Sequence, residues 1–315
     1  MIGIIGYRNH SLKILNILIK LKYKNITVYC RDKKNLSSEQ KGVIYTSDLK
    51  ILNDCKIIFI TSPSNTHVFY IKKFLNKERY IFCEKPAATT IKEINYLNKI
   101  KSIEKGRIYF NFNYLNSSVC KLLNKELNNI KNGKLMHVSI YASHGLFFNK
   151  NYTKNWRIQN KSIFDNITGN LGIHYLNLLI NIFNKINKIN ISKSNFSNKG
   201  NDTSLITLQS SGGKTASIFL SYATVCAKEI KFFFTNAMIE IVDNKIYKYA
   251  PRDTFSNEGY YVKPKKILIS KNGDLSLNSL NSSIKYFMKT SISKKEFSID
   301  QFKNALLSSK ILLKK

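Results

Sequence analysis

The sequence predicts an α/β protein in two parts. A doubly wound parallel sheet is expected over residues 1–116, and an α+β domain with a large, open, mostly antiparallel sheet over residues 117–315. Three observations carry this. Residues 1–116 alternate short apolar runs with helix-periodic stretches, the pattern of βαβ units. After Tyr114 one long helical stretch precedes a series of strand signals, as in segregated α+β folds. Finally, 315 residues exceed the size at which a single core usually stops growing.

In the first part, strands are expected at residues 1–5, 26–30, 57–61, 80–83 and 107–112, each short and rich in isoleucine or aromatics. The first helix should cover about residues 11–22, with Ile14, Leu15, Leu18 and Leu21 on one face. A second should start near Asn65 and Thr66, and a third at Thr89 and Thr90, where hydroxyl caps precede apolar periodicity. In the second part, a helix over 117–129 leads to a strand at 135–143, an aromatic and polar loop to Arg157, and a helix over about 168–183. Strands follow at 203–210, 214–222, 229–235 and 238–243. The turn Ser211-Gly212-Gly213 makes a hairpin of the first pair. Residues 278–290 and 300–313 read as closing helices.

Composition narrows the function classes. A formal net charge of +32 would attract nucleic acid or anionic membranes. Yet only six of the 51 basic residues are arginines, and the lysines are scattered rather than gathered into an arm or stripe. Lysine, asparagine, isoleucine, phenylalanine and tyrosine abound together, as AT-rich coding produces. With no zinc-finger or RNA-recognition signature, no nucleic-acid partner is expected. No apolar run reaches the length of a membrane span, so no membrane partner is expected either. The chain opens on a strand rather than a basic region before an apolar segment, so no signal peptide is expected. Cys30, Cys55, Cys83, Cys120 and Cys226 form no CxxC pair and read as reduced thiols of a cytoplasmic protein. No metal site is expected.

The chemistry-bearing residues sit where strands end. The run Tyr80-Ile81-Phe82-Cys83 is followed at once by Glu84-Lys85-Pro86, and open α/β sheets place ligands at strand carboxyl ends. Ile2-Gly3-Ile4-Ile5-Gly6 is a strand entering a glycine turn and a helix. A dinucleotide turn usually reads G-x-G-x-x-G; here Gly6, Arg8 and Ser11 fill the three glycine positions, so only the first glycine remains. Arg8 could crowd a pyrophosphate or bind it as a charged donor. An ordinary strand–turn–helix fits the same residues. Further along, Trp156-Arg157 is followed by sixteen residues and then His174, with Gly172 two before it. Residues 170, 174 and 177 fall on one stripe of an α-helix at i, i+4 and i+7, within an otherwise apolar pattern. A polar stripe of that kind should face a cavity or find buried partners; a lone core histidine is the plainer alternative.

Together, Glu84-Lys85-Pro86, the opening strand and turn, and the spacing from Trp156-Arg157 to His174 resemble the Gfo/Idh/MocA family of NAD(P)-dependent oxidoreductases. The resemblance spans nearly the whole chain and implies a Rossmann-type first domain. It implies a dehydrogenase or reductase moving a hydride between a nicotinamide cofactor and a hydroxyl or ketone carbon of a sugar or sugar nucleotide. It places Lys85 between nicotinamide and substrate, and gives the cofactor Gly6, Arg8, Asn9, Ser62, Asn65, His67, Glu84 and Lys85. His67 could instead be a structural residue at a helix start. Cys30 stands where an acid normally meets the adenosine ribose, and Arg31 follows it, which favours NADP over NAD. A solvated loop charge is the alternative for Arg31. On the substrate side the resemblance names Lys85, Asn113, His144, Trp156, Arg157, Asn170 and His174, with Lys85, His174 and Asn170 catalytic. Asn170 stands where the family usually has aspartate, and Asn177 where an acid is frequent. Asparagine can orient a hydroxyl but relays no proton, so a binding or scaffold subunit without turnover is the alternative function. The resemblance also implies a homodimer or homotetramer through the second sheet, to which the aromatic run Lys231-Phe232-Phe233-Phe234 is suited.

Overall fold

The computed structural model describes residues 1–31, 40–149, 162–164, 166–197, 200–250 and 254–314. They form two compact units. The first comprises residues 1–116 together with 278–314, the second residues 117–277.

The first unit is built on six strands: β1 (Ile2–Ile5), β2 (Ile26–Tyr29), β3 (Val43–Thr46), β4 (Ile57–Ile60), β5 (Tyr80–Glu84) and β6 (Ile108–Asn111). They lie in the order β3-β2-β1-β4-β5-β6 with every pair parallel. This is the doubly wound order, and its direction reverses between β1 and β4. The connecting helices are α1 (Asn9–Lys20), α2 (His67–Phe74), α3 (Ile91–Lys99) and the single turn α4 (Ser102–Lys105). α1 buries Ile14, Leu15 and Leu18, three of the four positions expected on its inner face. α3 begins where expected: Thr90 Oγ1 accepts from the Glu93 amide at 3.2 Å while the Thr90 amide donates to Glu93 Oε2 at 3.0 Å. β3 has no counterpart among the expected strands: its apolar run Val43-Ile44-Tyr45 is short and not buried, and of its four residues only Thr46 is.

The second unit opens with α5 (Ser118–Leu127) and the long strand β7 (Leu135–Ser143), followed by a π-helical turn (Thr168–Gly172) that runs into α6 (Ile173–Phe183). Then come β8 (Ile186–Ser194), β9 (Thr203–Ser210), β10 (Thr215–Ser221), β11 (Ala227–Phe234), β12 (Met238–Val242), β13 (Lys245–Tyr249) and β14 (Lys266–Ser270). The sheet order is β14-β13-β12-β11-β7-β10-β9-β8, antiparallel except between β7 and β10. β9 and β10 pair across Ser211-Gly212-Gly213 as expected of a hairpin. β11 alternates: Ile230, Phe232 and Phe234 are buried, whereas Lys231 and Phe233 are half-buried on the opposite face. The aromatic run is therefore divided between the core and the open face, as a period of two requires.

Two further helices close the chain, α7 (Ser279–Ile292) and α8 (Ile299–Leu313). A division at residue 117 would put them in the second domain, but their contacts assign residues 278–314 to the first unit. Phe287 of α7 explains why. Its ring lies 5.2 Å from Phe59 of β4 and 5.2 Å from Phe82 of β5, and stacks at 5.4 Å on Phe297. Ile284, Phe287 and Met288 belong to one buried cluster with Ile4, Leu15 and Leu18. An amphipathic helix goes where its apolar face finds a sheet, whatever its place in the sequence.

Candidate active site

In the first unit the carboxyl ends of β1, β4, β5 and β6 bring together the residues that sequence spacing singles out. Gly6 ends β1 with φ +114°, in the region that favours glycine, and a Cβ there would press to 3.0–3.1 Å on Thr61. Arg8 caps α1 in extended conformation and is exposed, as is Asn9. The first turn of α1 holds no acid, so its unpaired amides and partial positive charge suit an anion. Ser11, at the position of a third glycine, is buried and places its hydroxyl 2.7 Å from that of Thr61; Thr61 in turn donates to the carbonyl of Ile5 at 2.8 Å. A hydroxyl pair thus does the helix–strand joining that direct glycine contact does in the usual turn.

The Glu84-Lys85-Pro86 segment is fixed from two sides. His67 is buried, with Nδ1 2.9 Å from the carbonyl of Pro86 and Nε2 3.0 Å from that of Ser62. Burial lowers its pKa, against the pull of both backbone bonds. On the other side, Glu93 accepts from the Thr89 amide at 2.7 Å and from the Thr89 hydroxyl at 2.9 Å. Lys85, half-buried and joined to Pro86 by a cis peptide, therefore sits between the end of β5 and a backbone braced at Pro86 and Thr89. His67 belongs to that brace: both its ring nitrogens face main-chain carbonyls. Ser62 is half-buried and accepts from Thr66 Oγ1 at 2.7 Å, and Asn65 is exposed in the short turn before α2. Arg31 is exposed just past β2, and Cys30 before it is buried. Asn113 donates to Ser279 Oγ at 2.6 Å.

Sequence reasoning missed one member of this group. His10 Nε2 lies 2.7 Å from Glu84 Oε1, and the same carboxylate oxygen accepts from Asn111 Nδ2 at 2.7 Å. The available signal was a histidine in the first turn of α1, 74 residues from an acid at the end of a strand.

In the second unit, Asn170 lies on the π-turn and donates from Nδ2 to the hydroxyl of Tyr222 at 3.0 Å. The Tyr222 ring is buried and lies 4.5 Å from that of His144, which is exposed just after β7. Gly172 lets the helix start close on β10, for a Cβ there would meet Leu220 at 2.7 Å. His174 is half-buried one residue into α6. Asn177 is buried, one of the two outcomes expected of the polar stripe, and its carbonyl accepts from Asn181 Nδ2 at 2.7 Å. Tyr222 was also unforeseen; it is the residue immediately after β10. Trp156 and Arg157 lie outside the described residues. Among the described residues there is no cluster of histidine, cysteine or acidic side chains that could hold a metal, and no helix long and apolar enough to cross a membrane.

Comparison with known proteins agrees with this geometry. Residues 1–112 match the family model of the oxidoreductase family with an NAD-binding Rossmann fold, and residues 125–240 match that of the GFO/IDH/MocA C-terminal domain. A glucose-6-phosphate 3-dehydrogenase of Bacillus subtilis is 23% identical over 188 residues, which cover 58% of this chain and 53% of that protein. The chain thus spans about half the length of this curated relative. A myo-inositol dehydrogenase from Corynebacterium glutamicum superposes with a TM-score of 0.74 at 16% identity, over 99% of this chain and 93% of its own. An oxidoreductase from Agrobacterium radiobacter, solved in complex with NAD+, L-tartaric acid and magnesium, gives 0.78 at 16% identity, over 98% and 93%. At such identities the two structures speak to the fold.

Proposed function

Because this chain belongs to the Gfo/Idh/MocA oxidoreductase family, we propose that it is a dehydrogenase or reductase acting on a hydroxyl or ketone carbon of a sugar or sugar nucleotide. The observation that carries this is Lys85 on a braced backbone at the carboxyl end of β5, in the sheet whose order reverses between β1 and β4. The turn after β1 fits a dinucleotide: Gly6 leaves space that a Cβ would fill, and Arg8, Asn9 and the first-turn amides of α1 are donors for its phosphates. Arg31, beside the buried Cys30, suits a 2′-phosphate and favours NADP.

When bound, the nicotinamide supplies or receives the hydride. Lys85 polarises the oxygen of the reacting carbon, and His174 takes or gives the hydroxyl proton. Asn170, whose amide nitrogen is turned to Tyr222, presents its carbonyl oxygen to a substrate hydroxyl and carries no proton itself. His144, Asn113, Trp156 and Arg157 complete the substrate contacts in this reading. The open face of the second sheet, with Lys231, Phe233 and Lys266, serves a homo-oligomer.

Asn170 in place of an acid favours one second reading, a family member that binds cofactor or sugar without turnover. Fluorescence titration with NADH and NADPH, followed by assay against hexose phosphates, inositols and nucleotide sugars, separates the two. Under the first reading, Lys85→Met loses turnover by orders of magnitude and keeps dinucleotide affinity within several-fold. Near-normal turnover in that variant sinks the central role of Lys85. Tight dinucleotide binding with no turnover on any class supports the second.

A further inference from the structure

The carboxyl end of β5 carries an ion pair that the proposed reaction does not use. His10 Nε2 and Glu84 Oε1 are 2.7 Å apart, with side-chain exposures of 46% and 12%. Behind Glu84 runs a chain of neutral groups. Asn111 donates to the carboxylate at 2.7 Å and accepts from Ser283 Oγ at 2.6 Å. Ser283 Oγ lies 2.7 Å from the Tyr109 hydroxyl, to which Asn116 Nδ2 donates at 2.7 Å. Glu84 is therefore held on its inner side by amides and hydroxyls that reach α7, and on its outer side by a titratable ring.

A largely buried carboxylate needs a counter-charge, and the need is sharper where a polyanion must land. Two phosphates of a dinucleotide would be repelled by Glu84 standing alone at the rim of the turn that binds them. We infer that His10 is the counter-ion of Glu84, a positioning residue whose charge lets this corner of the sheet accept an anionic dinucleotide. The inference rests on the reading that the turn after β1 takes a nicotinamide dinucleotide.

The charged groups facing His10 are Glu84 at the end of β5, Lys85 beside it, and Lys13 on its own helix. The attraction of Glu84 outweighs burial and both lysines, and holds His10 above its ordinary 6.5. Burial pushes Glu84 up, but His10, Asn111 and Lys85 together bring it below its ordinary value. Both shifts favour the imidazolium–carboxylate form of the pair. As pH rises through the raised His10 value the cation is lost, and Glu84 keeps only Asn111 and Lys85 against the incoming phosphates.

The test is fluorescence titration of the full chain with NADH and NADPH from about pH 6 to about pH 9, with NMR titration of the His10 ring. If dinucleotide binding raises the His10 pKa by about one unit, wild-type affinity falls about tenfold across that range. His10→Gln should bind weakly and independently of pH, and His10→Lys tightly and independently of pH. The free-protein ring should titrate above 6.5, and lower in Glu84→Gln. A wild-type affinity that does not vary with pH, or an equal slope in His10→Gln, overturns the inference and leaves the cofactor reading intact. No binding at any pH overturns both. Should the variants fail to fold, a wild-type His10 that titrates at or below 6.5 overturns it alone.

Discussion

The hydroxyls of Ser11 and Thr61 meet at 2.7 Å, tying the first turn of α1 to the end of β4 where a third glycine would usually let helix and strand touch. Thr61 also donates to the Ile5 carbonyl, so one side chain links β1, β4 and α1. Ser11→Ala should therefore cost about 1 kcal/mol, since Thr61 retains its bond to Ile5. Gly6→Ala should cost more, about 1–3 kcal/mol, because it forces a side chain into a φ of +114° against Thr61. Urea unfolding of both variants measures this, and a neutral Ser11→Ala removes the hydroxyl-pair account of the altered turn.

His67 and His10 should bend the stability curve in opposite directions. Burial lowers the His67 pKa, so the unfolded chain binds the proton more readily. Its contribution is complete above about 6.5 and is lost as pH falls through the folded value. The His10 pKa is raised by Glu84, so its contribution is complete below 6.5 and is lost as pH rises through the folded value. His67→Phe leaves the carbonyls of Ser62 and Pro86 without the ring, and should cost about 1–3 kcal/mol above neutrality and less in acid. Denaturant midpoints against pH check the signs. A cost that grows on acidification contradicts the assignment.

The parts of this fold that were legible in the sequence are those where one local pattern decides. Short isoleucine- and aromatic-rich strands between capped helices announced the parallel sheet, and a Ser-Gly-Gly turn announced the β9–β10 hairpin. β8, β13 and β14 were not announced. β8 interleaves isoleucine with asparagine, lysine and serine, which reads as a loop, while β13 and β14 are five residues each, start on lysine and are mostly unburied. The assignment of α7 and α8 to the first unit depends on Phe287 finding Phe59 and Phe82, which no local window contains. The site divides the same way. Lys85 and Gly6 are motif residues, whereas His10 with Glu84, and Asn170 with Tyr222, are pairs that only folding brings together. The π-turn over Thr168–Gly172, where a regular α-helix is expected, also leaves no local signal.

Arg31 should set the preference between the two dinucleotides. Charge-assisted contacts to a phosphate contribute about 1.5–3 kcal/mol, or ~10- to 150-fold in affinity. Arg31→Ala is therefore expected to weaken NADPH by about that factor and to leave NADH nearly unchanged. Equal weakening of both would move the phosphate contact to Arg8, the other exposed arginine at these strand ends.

The Asn170–Tyr222 bond should matter for turnover more than for substrate affinity. The phenol accepts from the Asn170 amide nitrogen and so sets which way that amide is turned. Tyr222→Phe removes that partner while keeping the ring beside His144. If orientation of Asn170 is what the hydroxyl provides, kcat should fall about tenfold with KM changed little. Tyr222→Phe combined with Asn170→Ala should then be no worse than Asn170→Ala alone, a coupling within about 0.5–3 kcal/mol. Asn170→Asp extends the argument, for a carboxylate near His174 should raise the apparent pKa read in the pH profile of kcat/KM. The Tyr222 hydroxyl would then donate to the new acid and hold part of its charge away from His174. That rise should accordingly be larger in Asn170→Asp/Tyr222→Phe than in Asn170→Asp. Strictly additive effects in both pairings would mean that the bond only stabilises the unit, with Lys85 left to handle the proton.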